Sequence, residues 1–183
     1  MTKSRVVSVF GSSRPEPDSP DYRQAYALGE ALARAGYAIM TGGYDGTMEA
    51  ASKGAKAAGG HVIGVTVALF EEAGYRTGPN PYNDEIIRYD TLHERLLHLV
   101  SRGDAAIALP GGIGTLSEVF LTWSLLQVGE IRRKPFILLG EWWTGIMECV
   151  YGDGTYIREE DRSLLRVAYT PDEVIALLRE KGV

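Results

Sequence analysis

Short apolar runs alternate with stretches of helical spacing along the whole chain, and this alternation most restricts the fold. Residues 6–10, 37–40, 61–66, 86–89, 105–109, 136–139 and 167–169 read as strands. Residues 47–58, 92–100, 116–128, 142–150 and 171–180 read as helices. A further helix begins at Pro20 behind a Ser19 cap and stops at Gly36. Repeated strand–helix–strand units bury their apolar faces as a parallel sheet with helices on both sides. The expected fold is a doubly wound, Rossmann-like α/β domain of about seven strands. The run 105–109 has no polar side chain, as befits a strand covered on both faces. No linker divides the sequence, so residues 1–183 read as a single domain. The longest irregular stretch, 70–85, contains Gly74, Gly78, Pro79 and Pro81, and a loop of that length in a compact domain suggests a lid or binding loop.

Charge narrows the partners. Nineteen basic and 24 acidic side chains leave a net charge of −5, which argues against nucleic acid and against an anionic membrane surface. No run approaches the roughly 20 uncharged apolar residues of a membrane span. The opening MTKSRVVSVF passes straight into a strand pattern without a signal-like apolar region, and Cys149 is the sole cysteine. A cytoplasmic location is therefore expected, in a reducing compartment.

The chemistry concentrates in PGGIGTLSE, residues 110–118, between the most apolar strand and a helix. Gly111, Gly112 and Gly114 remove Cβ atoms where the chain turns toward a ligand. The amides of Ile113, Gly114 and Thr115 then sit at a helix N-terminus, whose unpaired donors and partial positive charge suit a phosphate. Glu118 lies one turn beyond Gly114. A carboxylate there suits a hydroxyl, a water or a developing cation about one sugar away from the phosphate. The loop Gly11, Ser12, Ser13, Arg14 follows the first strand, on the side where doubly wound sheets bind ligands. Gly42 and Gly43, in a second glycine-rich turn ending in Gly46-Thr47, allow close backbone approach on that same side. Arg95 borders the apolar stripe of Leu92, Leu96 and Leu99; pattern alone makes it a surface cation with a buried stem.

Other chemistries lack their residues. The glycine turn is neither GxGxxG nor a P-loop, so neither NAD binding nor nucleoside triphosphate hydrolysis is indicated. His93 and His98 are five apart, about 140° around a helix, where a zinc pair needs four, so no metal is expected. No GxSxG occurs. None of the lysines ends a predicted strand, which leaves no Schiff-base candidate.

These residues resemble a known family. PGGIGTLSE matches the PGGxGTxxE signature of the LOG ("lonely guy") family, long labelled possible lysine decarboxylases. VFGSSR, GGYDGTMEAASKGA, VIGV and KPFILLG resemble its other strands and loops, so the likeness spans nearly the whole chain. It implies a phosphoribohydrolase that splits the N-glycosidic bond of nucleoside 5′-monophosphates, such as AMP or cytokinin riboside monophosphates, to base and ribose 5-phosphate. It implies no cofactor, no metal, and a homodimer or an assembly of dimers. Glu118 matches the family's catalytic Glu and Arg95 the Arg of its Arg-Lys pair. Leu96 stands where the Lys is expected, and Glu49 where many members have Gly. Gly111 to Thr115, with Ser12, Ser13, Gly42 and Gly43, are the expected substrate and phosphate contacts. Molybdenum-cofactor carrier proteins resemble the same fold and loops, and imply the alternative of a binding protein without turnover.

Overall fold

The structure, a computed structural model, describes residues 5–75, 77–180, 182 and 183. In chain order it comprises β1 (Val6–Phe10), α1 (Pro20–Arg34), β2 (Ala38–Thr41), α2 (Thr47–Ala57), β3 (Val62–Val67), α3 (Ala68–Glu72) and β4 (Glu85–Tyr89). Then follow α4 (Leu92–Ser101), β5 (Ala105–Ala108), α5 (Ile113–Val128), β6 (Phe136–Leu139), α6 (Trp142–Tyr151), α7 (Glu159–Arg162), β7 (Arg166–Ala168) and α8 (Pro171–Glu180). The seven strands form one sheet, all parallel, in the order β4-β3-β2-β1-β5-β6-β7. The expected fold class is the one observed.

Side-chain alternation along β1 divides the core. Val7 and Val9 face one layer with Leu28 and Leu32 of α1, Ala51 of α2, and Val174 and Leu178 of α8. Phe10 faces the other, with Leu99 of α4, Val119 and Leu126 of α5, and Trp143 and Met147 of α6. Ser8 points the same way as Phe10, and its hydroxyl donates to the Leu99 carbonyl at 2.8 Å. A buried hydroxyl left unpaired there would be costly, so this bond lets β1 carry a serine in the core.

Short polar side chains cap several helices. Ser19 Oγ accepts from the Tyr22 amide and caps α1, with Pro20 in its first turn. Thr91 caps α4 through the Glu94 amide, and Thr170 caps α8 through the Glu173 amide. Three details differ. Residues 70–72 belong to α3 rather than to a loop, α7 has no counterpart in the sequence reading, and α5 begins at Ile113 instead of 116. α3 and α7 have five and four residues, too few to show a helical period. The early start of α5 follows from Gly112, whose extended φ of −87° and ψ of −156° make it the N-cap. Among the described residues no helix is long and apolar enough to cross a membrane.

Candidate active site

The strand order reverses at β1. The chain steps outward from β1 to β4, then returns to lay β5 on the other side of β1. The turns after β1 and β5 therefore diverge and leave a crevice at the carboxyl edge of the sheet. Ser12, Arg14, Pro15, Asp21, Pro110, Gly111 and Trp142 line a cleft of about 440 Å³ there. Its far wall is fixed by Trp143, whose indole N–H donates to the Ala108 carbonyl at 2.9 Å. Trp142 packs edge-on against Trp143, with centroids 4.8 Å apart.

The amides of Ile113, Gly114 and Thr115 form the first turn of α5. Gly112 offers no side-chain cap, and among the described residues no side chain takes up the donors of the first turn of α5. Gly112, Ile113 and Gly114 are exposed, whereas Thr115 is buried. Gly111 has to be glycine: a Cβ there would run into the Thr115 side chain, 2.6 Å from its Cβ. The β1 turn is tied to the second glycine turn, because the Ser12 carbonyl accepts from both the amide and the hydroxyl of Thr47, at 2.8 and 3.0 Å. Ser12 Oγ accepts from the Arg14 amide, and Ser13 lies against Gly46.

Glu118, on the second turn of α5, is buried beside Arg95 of α4, with Oε1 3.9 Å from Nη1. Arg95 is not the surface cation that its pattern suggests. Its Nε donates to the Val65 carbonyl at 2.8 Å and its Nη2 to the Gly42 carbonyl at 3.2 Å. The faces of Tyr44 and Phe70 each lie 5.8 Å from its Cζ. Carbonyl oxygens and ring faces replace the water the guanidinium would otherwise hold. Burial pushes the Glu118 carboxyl up to about 7, and the Arg95 charge only partly offsets that rise. The pair thus places a carboxyl that titrates near neutrality next to a fixed cation.

Gly42 is confined by Arg95 and Met48, since a Cβ on it would collide with Arg95 Nη2 and stand 2.6 Å from Met48 Sδ. Gly43 faces the loop interior. Its amide donates to Thr41 Oγ1, and its carbonyl accepts from Asn80 N, Asn80 Nδ2 and Asn83 Nδ2. Gly43 therefore orders the turn with the same backbone groups that the sequence assigned to a ligand. Sequence reasoning missed Tyr44, Phe70, Asn80 and Asn83. The one signal available was a pair of asparagines within a Gly/Pro-rich stretch, which favours side-chain-to-backbone bonding.

Comparison with known proteins agrees with this architecture. A family model described as possible lysine decarboxylase matches residues 48–178. A Mycobacterium tuberculosis protein named cytokinin riboside 5′-monophosphate phosphoribohydrolase is 35% identical over 143 residues, 78% of this chain and 74% of its own length. An Oryza sativa protein with the same name, marked probable, is 32% identical over 188 residues, 98% of this chain and 74% of its own. Among solved structures, a molybdenum cofactor binding protein from Rippkaea orientalis superposes with a TM-score of 0.76 at 26% identity, covering 100% of both chains. The signature turn, the paired Glu118 and Arg95, and these likenesses agree: the chain belongs to the LOG family, the family of the possible-lysine-decarboxylase model.

Proposed function

We propose that this protein hydrolyses the N-glycosidic bond of nucleoside 5′-monophosphates, AMP or a cytokinin riboside monophosphate, to free base and ribose 5-phosphate. The observation that carries the reading is the burial of Glu118 against Arg95, one turn behind a helix N-terminus that no side chain caps among the described residues. The amides of Gly112, Ile113, Gly114 and Thr115 grip the 5′-phosphate, and that remote grip orients the reacting bond. As the C1′–N bond lengthens, positive charge grows on the ribose, and the Glu118 carboxylate stabilises it. Glu118 takes a proton from the attacking water, whose oxygen bonds to C1′. The electron pair of the broken bond leaves on the base nitrogen, which gains a proton from solvent. Arg95 holds the carboxylate in place. Ser12 and Ser13, with the 70–85 segment, face the base side of the cleft. The working unit is a homodimer, as the family likeness implies.

Chromatography of the products formed from AMP and isopentenyladenosine monophosphate tests this. Free base should appear with ribose 5-phosphate. Glu118→Gln should slow its release by about 10²–10⁴-fold, the usual worth of a positioned acid–base group. Wild-type rates in that variant would sink the assignment.

A second reading is favoured by the full-length likeness to a molybdenum cofactor binding protein and by Leu96 in the place of the family lysine. In that reading the cleft holds a phosphorylated pterin without breaking it. Tight retention of such a ligand, with no base released from any nucleoside monophosphate, would select it.

A further inference from the structure

Helices outrun strands at the amino edge of the sheet, opposite the candidate active site. β7 has three residues and β6 four, about 10 and 13 Å of strand, whereas α8 has ten and α5 sixteen, about 15 and 24 Å of helix. α8 packs on one face of the sheet and α5 on the other. Their last turns overhang the amino ends of β6 and β7 and help to enclose a cavity of about 450 Å³. Leu126 of α5, Phe136 of β6, Leu164 before β7 and Leu177 of α8 give it an apolar wall.

Arg133, Arg166 and Glu180 also line this cavity, and all three are exposed. Lys134 lines it too but is committed elsewhere: its ammonium donates to the Val100 and Gly103 carbonyls at 2.8 and 3.0 Å, at the end of α4. Among the described residues the side chains of Arg133, Arg166 and Glu180 make no hydrogen bond and no ion pair. Two guanidinium groups against one carboxylate leave one positive charge in excess, in a chain whose net charge is −5.

We propose that this cavity is a second ligand site, for a small monoanion that joins an apolar body to a carboxylate. The body covers Phe136 and its apolar neighbours. The planar fork of a guanidinium matches the two oxygens of a carboxylate. One carboxylate cancels the excess charge, whereas a phosphate dianion would exceed it and be repelled by Glu180. The volume falls in the usual range of small-molecule sites, roughly 300–1,000 Å³. The proposal rests on neither reading of the cleft given above.

Equilibrium dialysis of the whole chain against 2-naphthoate tests it, with 2-naphthamide and 2-naphthyl phosphate as the neutral and dianionic counterparts. 2-Naphthoate should bind with a Kd on the order of 100 µM, and the amide about tenfold more weakly or worse. Arg133→Ala combined with Arg166→Ala should weaken 2-naphthoate by about tenfold or more with Tm unchanged, since both side chains are exposed. Millimolar AMP should leave 2-naphthoate bound. Absence of binding at millimolar 2-naphthoate, or equal affinity for carboxylate and amide, would overturn the proposal. So would full affinity in the double variant, which would leave the two arginines to serve the negative ends of α5 and α8. Displacement by AMP would put 2-naphthoate in the cleft and end the proposal as well. Tighter binding of 2-naphthyl phosphate that the double variant abolishes would overturn the choice of a carboxylate.

Discussion

Glu118 is 7% exposed, and its carboxyl titrates near 7 because the energy lost on leaving water exceeds the attraction of Arg95. A general base has to be ionised, so kcat/KM for base release should climb about tenfold per pH unit on the acid side of 7 and level above it. Arg95→Met removes the cation that lowers this value and should move the limb to higher pH. A profile flat from pH 5 to 8 would separate Glu118 from the reaction. The same shift bears on stability. The folded-state value near 7 lies above the ordinary carboxyl value of 4.5, so between these limits the folded protein binds more protons than the unfolded chain. The stabilising contribution is complete below about 4.5 and is lost as pH rises through 7. Thermal melts should show wild type losing stability over that window and Glu118→Gln losing less.

At the scale of elements, the segment between α3 and β4 is less free than its glycines and prolines suggest. Asn80 is buried, and its side-chain amide donates to the Gly43 and Tyr44 carbonyls at 3.1 and 2.9 Å. Asn83 adds a bond to Gly43 at 3.2 Å. Asn80→Ala removes these two donated bonds and the one that Asn80 Oδ1 accepts from the Tyr82 amide, and leaves the Tyr44 carbonyl without that donor. The expected cost is about 1–3 kcal/mol, which calorimetry should read as a fall in Tm of about 2–12 °C for a chain of this size. No change in Tm would make this anchor ornamental. The segment also shows where sequence reading stops. Gly74, Gly78, Pro79 and Pro81 mark irregular chain correctly, but Ala68–Glu72 gives barely one turn and no period to recognise. Glu118 and the amides of 112–115 were legible because one strand, one turn and one helix contain them all. The surroundings of Arg95 were not, because Gly42, Tyr44, Val65 and Phe70 come from β2, β3, α3 and their turns, brought together only by parallel pairing of β2 with β3. A stripe of leucines at helical spacing carries no record of what lies across it, so Arg95 looked like a surface cation.

For the whole molecule, a parallel sheet covered on both faces was legible in the alternation, whereas the order of its strands was not, since right-handed crossovers leave more than one doubly wound order open. What the molecule does with its outer face follows from α5. Its only ionisable side chain, Glu118, points inward, yet Ile113 is 85%, Phe120 38% and Val128 70% exposed. Leu92 and Leu97 of neighbouring α4 are exposed as well. An outer face that shows Ile113, Phe120 and Val128 among Ser117, Ser124 and Gln127 calls for cover, and a second copy of the same helix supplies matching chemistry about a twofold axis. The homodimer proposed above should therefore be built on α5. Sedimentation equilibrium at micromolar concentration should return twice the chain mass for wild type. Phe120→Glu combined with Val128→Glu should return one chain, because like charges then face each other across the axis. α4 and α5 carry Arg95 and Glu118, so splitting the dimer should also lower base release while the melting transition stays cooperative. A wild-type monomer, or a dimer indifferent to both charges, would place the contact elsewhere and leave the apolar face of α5 unexplained.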